Sequence, residues 1–163
     1  MVFGRDFYLK SGQLVTPYAG LGYRYLNDDS SGRISSFGDL GYERESNYSY
    51  YPLGVEFGAP LSQKWKMGMN VEYDIFRHGT QKSHFGGSLG TISNDQQSGY
   101  GMRGSLKFLM KSKSFDIAIE PFVRSWDIKD SDSAFSRFGS LILRIYEPKN
   151  ETLEAGCKVA LLF

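Results

Sequence analysis

The sequence predicts an all-β fold: an antiparallel up-and-down transmembrane β-barrel of the eight-stranded type, forming a single domain over residues 1–163. Three observations predict it. Apolar residues recur at every second position through most of the chain, the period at which side chains share one face of a strand. Short turns and long polar connections alternate strictly, as they do in membrane barrels with short inner turns and long outer loops. The positions between the apolar ones carry charges and glycines, which suits a narrow polar interior better than a soluble exterior.

Taken in order, Val2 to Leu9 reads as a strand end with an ambiguous face, leading into a turn at Lys10-Ser11-Gly12-Gln13. In Val15 to Leu26, the residues Val15, Pro17, Ala19, Leu21, Tyr23 and Tyr25 take one face; Arg24 lies on the other. Asn27 to about Arg44 is rich in Asp, Ser and Gly and reads as a long loop. Asn47 to Phe57 returns with Tyr51, Leu53, Val55 and Phe57 on one side and Tyr48, Tyr50, Gly54 and Glu56 on the other. After a short turn comes the most regular strand. There Trp65, Met67, Met69, Val71, Tyr73 and Ile75 alternate with Lys66, Gly68, Asn70, Glu72 and Asp74, a pattern no helix would bury sensibly. A second long loop is expected over Arg77 to Gln97. Tyr100–Met110 and Phe115–Val123 follow as strands joined by the turn Lys111-Ser112-Lys113-Ser114, and Asp127 to Thr152 reads as a third long connection.

The closing strand is Leu153 to Phe163. Leu153, Ala155, Cys157, Val159, Leu161 and Phe163 form one continuous apolar row, ending on an aromatic residue. Here the chain resembles the outer-membrane β-barrel families, in particular small barrels of the OmpA and opacity-protein kind. Val159, Leu161 and Phe163 stand where those families carry the signal read by the barrel-insertion machinery. Their usual Gly falls at Lys158, and this chain has Gly156 instead. The resemblance implies a bacterial outer-membrane location, with outer-membrane lipid, the insertion machinery and an extracellular ligand met by the loops as partners. It also implies that both termini lie on the short-turn side. Seven strands are clear by that count, and bacterial barrels have even numbers, so an up-running strand and a signal peptide are expected before Met1. A rival count takes Phe138–Tyr146 as an eighth wall strand.

The inward set defines a lumen polar network of Arg24, Glu56, Glu72, Asp74, Arg103, Lys107, Glu120, Arg124, Glu154 and Lys158. Opposite charges in a narrow interior offset one another's desolvation, so the network reads as structural. Glycines on the same face read as space for long Arg and Lys side chains. Lys+Arg (19) and Asp+Glu (18) nearly cancel, leaving no basic footprint for nucleic acid. The single cysteine excludes an intrachain disulfide. His78 and His84 beside Ser83 raise the question of a hydrolase, but adjacent strand residues point to opposite faces. Asp28-Asp29-Ser30-Ser31-Gly32 lacks the spacing of a calcium loop. No catalytic, cofactor or metal residues are therefore expected. The functional expectation is a non-enzymatic outer-membrane barrel with an envelope, adhesion or surface-contact role. The alternatives are a narrow porin-like channel for small solutes and an outer-membrane lipid-modifying hydrolase.

Overall fold

A computed structural model describes residues 1–86, 90–138 and 141–163, and among these there are strands and turns but no helix. The strands are β1 (Val2–Gly4), β2 (Phe7–Tyr8), β3 (Leu14–Gly20), β4 (Gly22–Asp29), β5 (Glu43–Pro60), β6 (Trp65–Gly86), β7 (Gly90–Gln96), β8 (Gly99–Met110), β9 (Asp116–Ile128), β10 (Ser133–Phe138), β11 (Leu141–Tyr146) and β12 (Asn150–Leu162). The main sheet runs β1-β3-β5-β6-β8-β9-β12. Three short pieces continue its lines: β2 pairs with β3, β4 with β5, and β7 with β6. β1 and β2 hold one register on β3 across a break at Arg5–Asp6, and β3 and β4 hold one register on β5 across a break at Leu21. The wall is therefore a seven-line antiparallel meander, in agreement with the seven strands read from alternation.

The sheet curls strongly. Arg24 on β4 and Glu154 on β12 lie five strand spacings apart along the sheet. Flat, that separation is roughly 24 Å at about 4.8 Å per strand. Their side chains nevertheless meet at 2.8 Å across the concave face. The ladder does not close, and among the described residues β1 and β12 are its two ends. All six wall pairings are antiparallel, so these two edges run in the same direction.

The three expected long loops are corrected in part. The first is strand only at its ends, where β4 and β5 extend into it, and residues 30–42 are the expected connection; β6 and β7 form most of the second, and β10 pairs with β11 in the third. The Phe138–Tyr146 stretch is not a wall strand beside β12. Its residues Leu141–Tyr146 pair instead with β10 in a separate two-stranded sheet, and residues 139–140 lie outside the described residues. The β5, β6 and β7 extensions are largely polar on both faces, so the alternation that marks a strand fades there, whereas β10 and β11 carry apolar residues on both faces, which blurs it equally.

One irregularity separates wall from extension. Between Ser49 and Tyr50 on β5 the partner on β6 jumps from His78 to Phe76, leaving Arg77 as an extra residue. Such a bulge shifts the period by one and exchanges the two faces beyond it. Below it, Glu72, Asp74 and Phe76 are buried; above it, Gly79, Gln81 and Ser83 are.

Candidate functional site: the concave face

The convex and concave faces of the wall reverse the usual order of a soluble protein. On β6, Glu72 and Asp74 are 6% and 0% exposed, while Val71, Tyr73 and Ile75 are 57%, 43% and 42% exposed. Leu53 and Val55 on β5, Met102 and Leu106 on β8, Ile119 and Val123 on β9, and Leu153, Val159 and Leu161 on β12 continue that apolar exterior. Tyr73 and Tyr100 stack on it with ring centroids 5.9 Å apart, and Phe115 meets Phe163 near the short-turn end.

The strand register lines up one lateral row on the concave side: Tyr18, Gly54, Glu72, Arg103, Arg124 and Glu154, each directly opposite the next. Arg103 pairs with Glu72 at 3.2 Å, and Arg124 pairs with Glu154. The Tyr18 hydroxyl donates to Glu72 at 2.8 Å and accepts from the Asn70 amide at 2.8 Å. Arg24 reaches down to the same Glu154. Four of the ten expected network residues thus share a row, with Arg24 as a fifth member from above. Glu120 is not their partner: it lies two rows lower, below the Phe122–Gly156 row, and receives Lys158 at 3.3 Å. Glu56, Arg103, Lys107, Glu120 and Lys158 line a polar cavity of about 260 Å³ in the lower half.

Above the charged row the interior holds an apolar cluster. Tyr48, Phe76, Trp126 and Ile128 form a buried cluster, with Leu26 and Tyr50 packed against it. Tyr50 meets Trp126 edge-on at 5.0 Å, Tyr48 meets Phe76 at 5.6 Å, and the Arg24 guanidinium lies 5.2 Å over Trp126. Asp74, the remaining expected member, is fully buried near this boundary, and among the described residues neither carboxylate oxygen has a hydrogen-bond partner. This aromatic plug was not anticipated. Carrying the inward parity two residues past Asp74 and Arg124 would have placed Phe76 and Trp126 inside.

The inner glycines serve a purpose different from the one expected. Tyr18, Tyr50, Tyr48, Trp126 and Phe122 each stand directly opposite a glycine: Gly54, Gly22, Gly79, Gly101 and Gly156. A Cβ on Gly54 would sit 2.2 Å from the Tyr18 ring, and one on Gly22 would sit 2.2 Å from Tyr50. These glycines let aromatic rings lie flat across the neighbouring strand, rather than making room for Arg and Lys. Tyr18 reaches Glu72 only by crossing Gly54.

The Ser–His constellation does not assemble. Ser83 is buried and donates to Glu147 at 2.8 Å, while His84 points to the other face, with Nδ1 2.9 Å from Thr91 Oγ1 and Nε2 4.0 Å from Glu45. His78 lies outside with Asp95 at 3.8 Å. In the first connection the Asp29 carboxylate accepts the Ser31 backbone N–H at 2.9 Å, and that bond holds its pKa below the ordinary carboxylate range. The chain matches no protein-family model and no characterised protein sequence.

Proposed function

We propose that this chain is the wall of a bacterial outer-membrane β-barrel, non-enzymatic, holding polar hairpins above the membrane for envelope or surface contacts. The observation that carries the reading is the inversion of the wall, with Arg24, Glu72 and Asp74 buried on the concave side and an apolar exterior over the lower part of its long strands. In water such an exterior would drive association; in lipid it is the stable arrangement. The dimensions agree. Trp65 to Ile75 spans about 33 Å at roughly 3.3 Å per residue, and a tilt near 40° reduces this to about 25 Å, the height of the apolar band of such barrels. The open edges fit the same reading. Unpaired backbone groups are costly in hydrocarbon, and two like-directed edges cannot join each other antiparallel. One further strand, running opposite to both β1 and β12, would complete an eight-stranded wall.

The interior favours a structural over a conducting role, because the aromatic cluster of Tyr48, Phe76 and Trp126 fills the lumen above the ion pairs. The two tryptophans supply the test. Trp65 faces out and Trp126 is buried inside. After folding into vesicles of phosphatidylcholine brominated on the acyl chains, Trp65 fluorescence should be strongly quenched, and the Trp65→Phe variant, reporting Trp126 alone, should be nearly unquenched. Equal quenching of both, or of neither, sinks the membrane reading.

A further inference from the structure

The β8–β9 ladder has a gap. Ser105 pairs with Phe122 and Phe108 with Ile119 in one register, but Leu106 and Lys107 have no partner between them. Pro121, which that register sets opposite Leu106, has no N–H to donate. The gap lies near mid-height of the apolar band, two residues from Gly104, which stands between Val71 on β6 and Val123 on β9.

A cavity lies on each side of this gap. Outside, Met69, Val71, Gly104, Leu106, Pro121 and Val123 line an apolar groove of about 440 Å³. Its floor is Gly104, where an added Cβ would meet nothing nearer than Val123 Cγ1 at 3.8 Å. β6 and β9 flank the groove two strand spacings apart, about 9.6 Å; with carbon–carbon contacts of about 4 Å on either side, that admits one hydrocarbon chain and not two. Inside is the polar cavity lined by Glu56 and Lys107. Met69, Asn70 and Ser105 belong to the walls of both, so groove and cavity adjoin.

The charges of the inner cavity are not all paired. Arg103 is held by Glu72, and Lys158 by Glu120. Among the described residues Lys107 has no carboxylate within 4.0 Å, and Glu56 has no cation within 4.0 Å. A head carrying both signs would engage both through charge-assisted hydrogen bonds; a singly charged head would leave one of them idle. A groove for one chain, joined to a cavity with a spare cation and a spare anion, is the complement of a single-chain zwitterion.

We infer that the gap is a lateral binding site for a single-chain zwitterionic phospholipid. Its chain lies in the groove over Gly104, its phosphate meets Lys107 and its ammonium meets Glu56. The glycerol crosses the wall between Leu106 and Pro121, where no ladder pair has to be given up. The inference rests on the membrane reading, which brings lipid chains to this face.

The probe is a lysophosphatidylethanolamine with a diazirine on its acyl chain, in phosphatidylcholine vesicles that hold the folded protein. After illumination, peptide mass spectrometry should find the label concentrated on residues 104–106 and 121–123, well above the similarly exposed Leu53 and Val55 on β5. A two-chain phosphatidylethanolamine with the same diazirine should label both regions alike. Gly104→Leu, whose Cβ finds room, should bring the groove down to the level of Leu53 and Val55. Lys107→Gln should lower the excess severalfold, since a charge-assisted hydrogen bond is lost. Unchanged thermal melting shows that both variants fold. Even labelling by the single-chain probe, equal concentration of the two-chain probe at the groove, or full labelling in both variants overturns the inference. Because Trp65 quenching reads the membrane placement independently, a quenched Trp65 with even labelling removes this proposal alone. An unquenched Trp65 removes the reading beneath it.

Discussion

The lower and upper halves of β6 are one continuous strand in two surroundings. From Trp65 to Ile75 the outward residues are Trp, Met, Met, Val, Tyr and Ile; from His78 to His84 they are His, Thr, Lys and His. The inward residues change in the opposite sense, from Asn70, Glu72 and Asp74 to the neutral Gly79, Gln81 and Ser83. The strand does not weaken between them, because the β5 ladder continues through both. What differs is what each face meets. Along β6 the inward charges stand where the exterior is apolar; where the exterior is polar, the inward residues of the strand are neutral, and Ser83 donates to the buried Glu147. Hydrogen bonding thus makes the strand, and the surroundings write its alternation.

That comparison can be broken most forcefully by moving one charge between the halves. Val71→Arg places a cation at the middle of the apolar band and should cost about 2–4 kcal/mol of folding stability in lipid, the range for Arg at the midplane of a barrel. His78→Arg, on the same strand face beyond the bulge, should change stability by less than about 0.5 kcal/mol, as ordinary surface substitutions do. Urea titration in vesicles, read by gel mobility of unheated samples, measures both. Equal effects would remove the distinction between the halves.

The interior row gives the next contrast. Glu72→Ala strands Arg103 and removes the acceptor of Tyr18, and should cost about 3–5 kcal/mol, as breaking one side of a buried pair does. Glu45→Ala, whose neighbour His84 is 4.0 Å away in the half with a polar exterior, should be close to neutral. Planar-bilayer conductance of the Glu72→Ala variant should stay at the empty-membrane level, because the aromatic cluster above it is untouched. A rise in conductance would instead make the row a gate.

The smallest expected effect sharpens the account of the glycines. Gly54→Ala drives a methyl into the Tyr18 ring and should cost about 1–3 kcal/mol, the usual range for overpacking. A Cβ at Gly68 would meet only ordinary contacts at 3.6 Å and beyond, so Gly68→Ala should be nearly silent. Thermal melting in detergent distinguishes them, and similar losses would mean that the rings can move aside.

Much of the wall was legible because its two faces differ so sharply. Trp65–Ile75 and Leu153–Phe163 declare themselves by alternation, and parity alone put Glu72, Arg103, Arg124 and Glu154 on one face. That they form a single row depends on the pairing registers, which alternation does not specify. Glu120 shows the limit: it shares the face but meets Lys158, because register decides which rows touch. The β5–β6–β7 extensions read as loop because polar residues on both faces carry no period, and β10–β11 because apolar residues on both faces blur it. The ring-over-glycine pairs were illegible for a similar reason. Tyr18 and Gly54 are far apart in sequence, and only pairing brings them face to face.

The extra residue at Arg77 acts as a clutch between the wall and what it carries. The faces are reset there, so the hairpins above can grow or shrink by two residues per arm without turning any side chain in the apolar band. A protein built this way can change its upper surface in height and chemistry while the sequence of its apolar-faced wall stays fixed. Grafting a foreign β-hairpin above Ser49 and His78 should respect the wall whenever its arms match in length, and a graft one residue out of step would undo what the bulge provides.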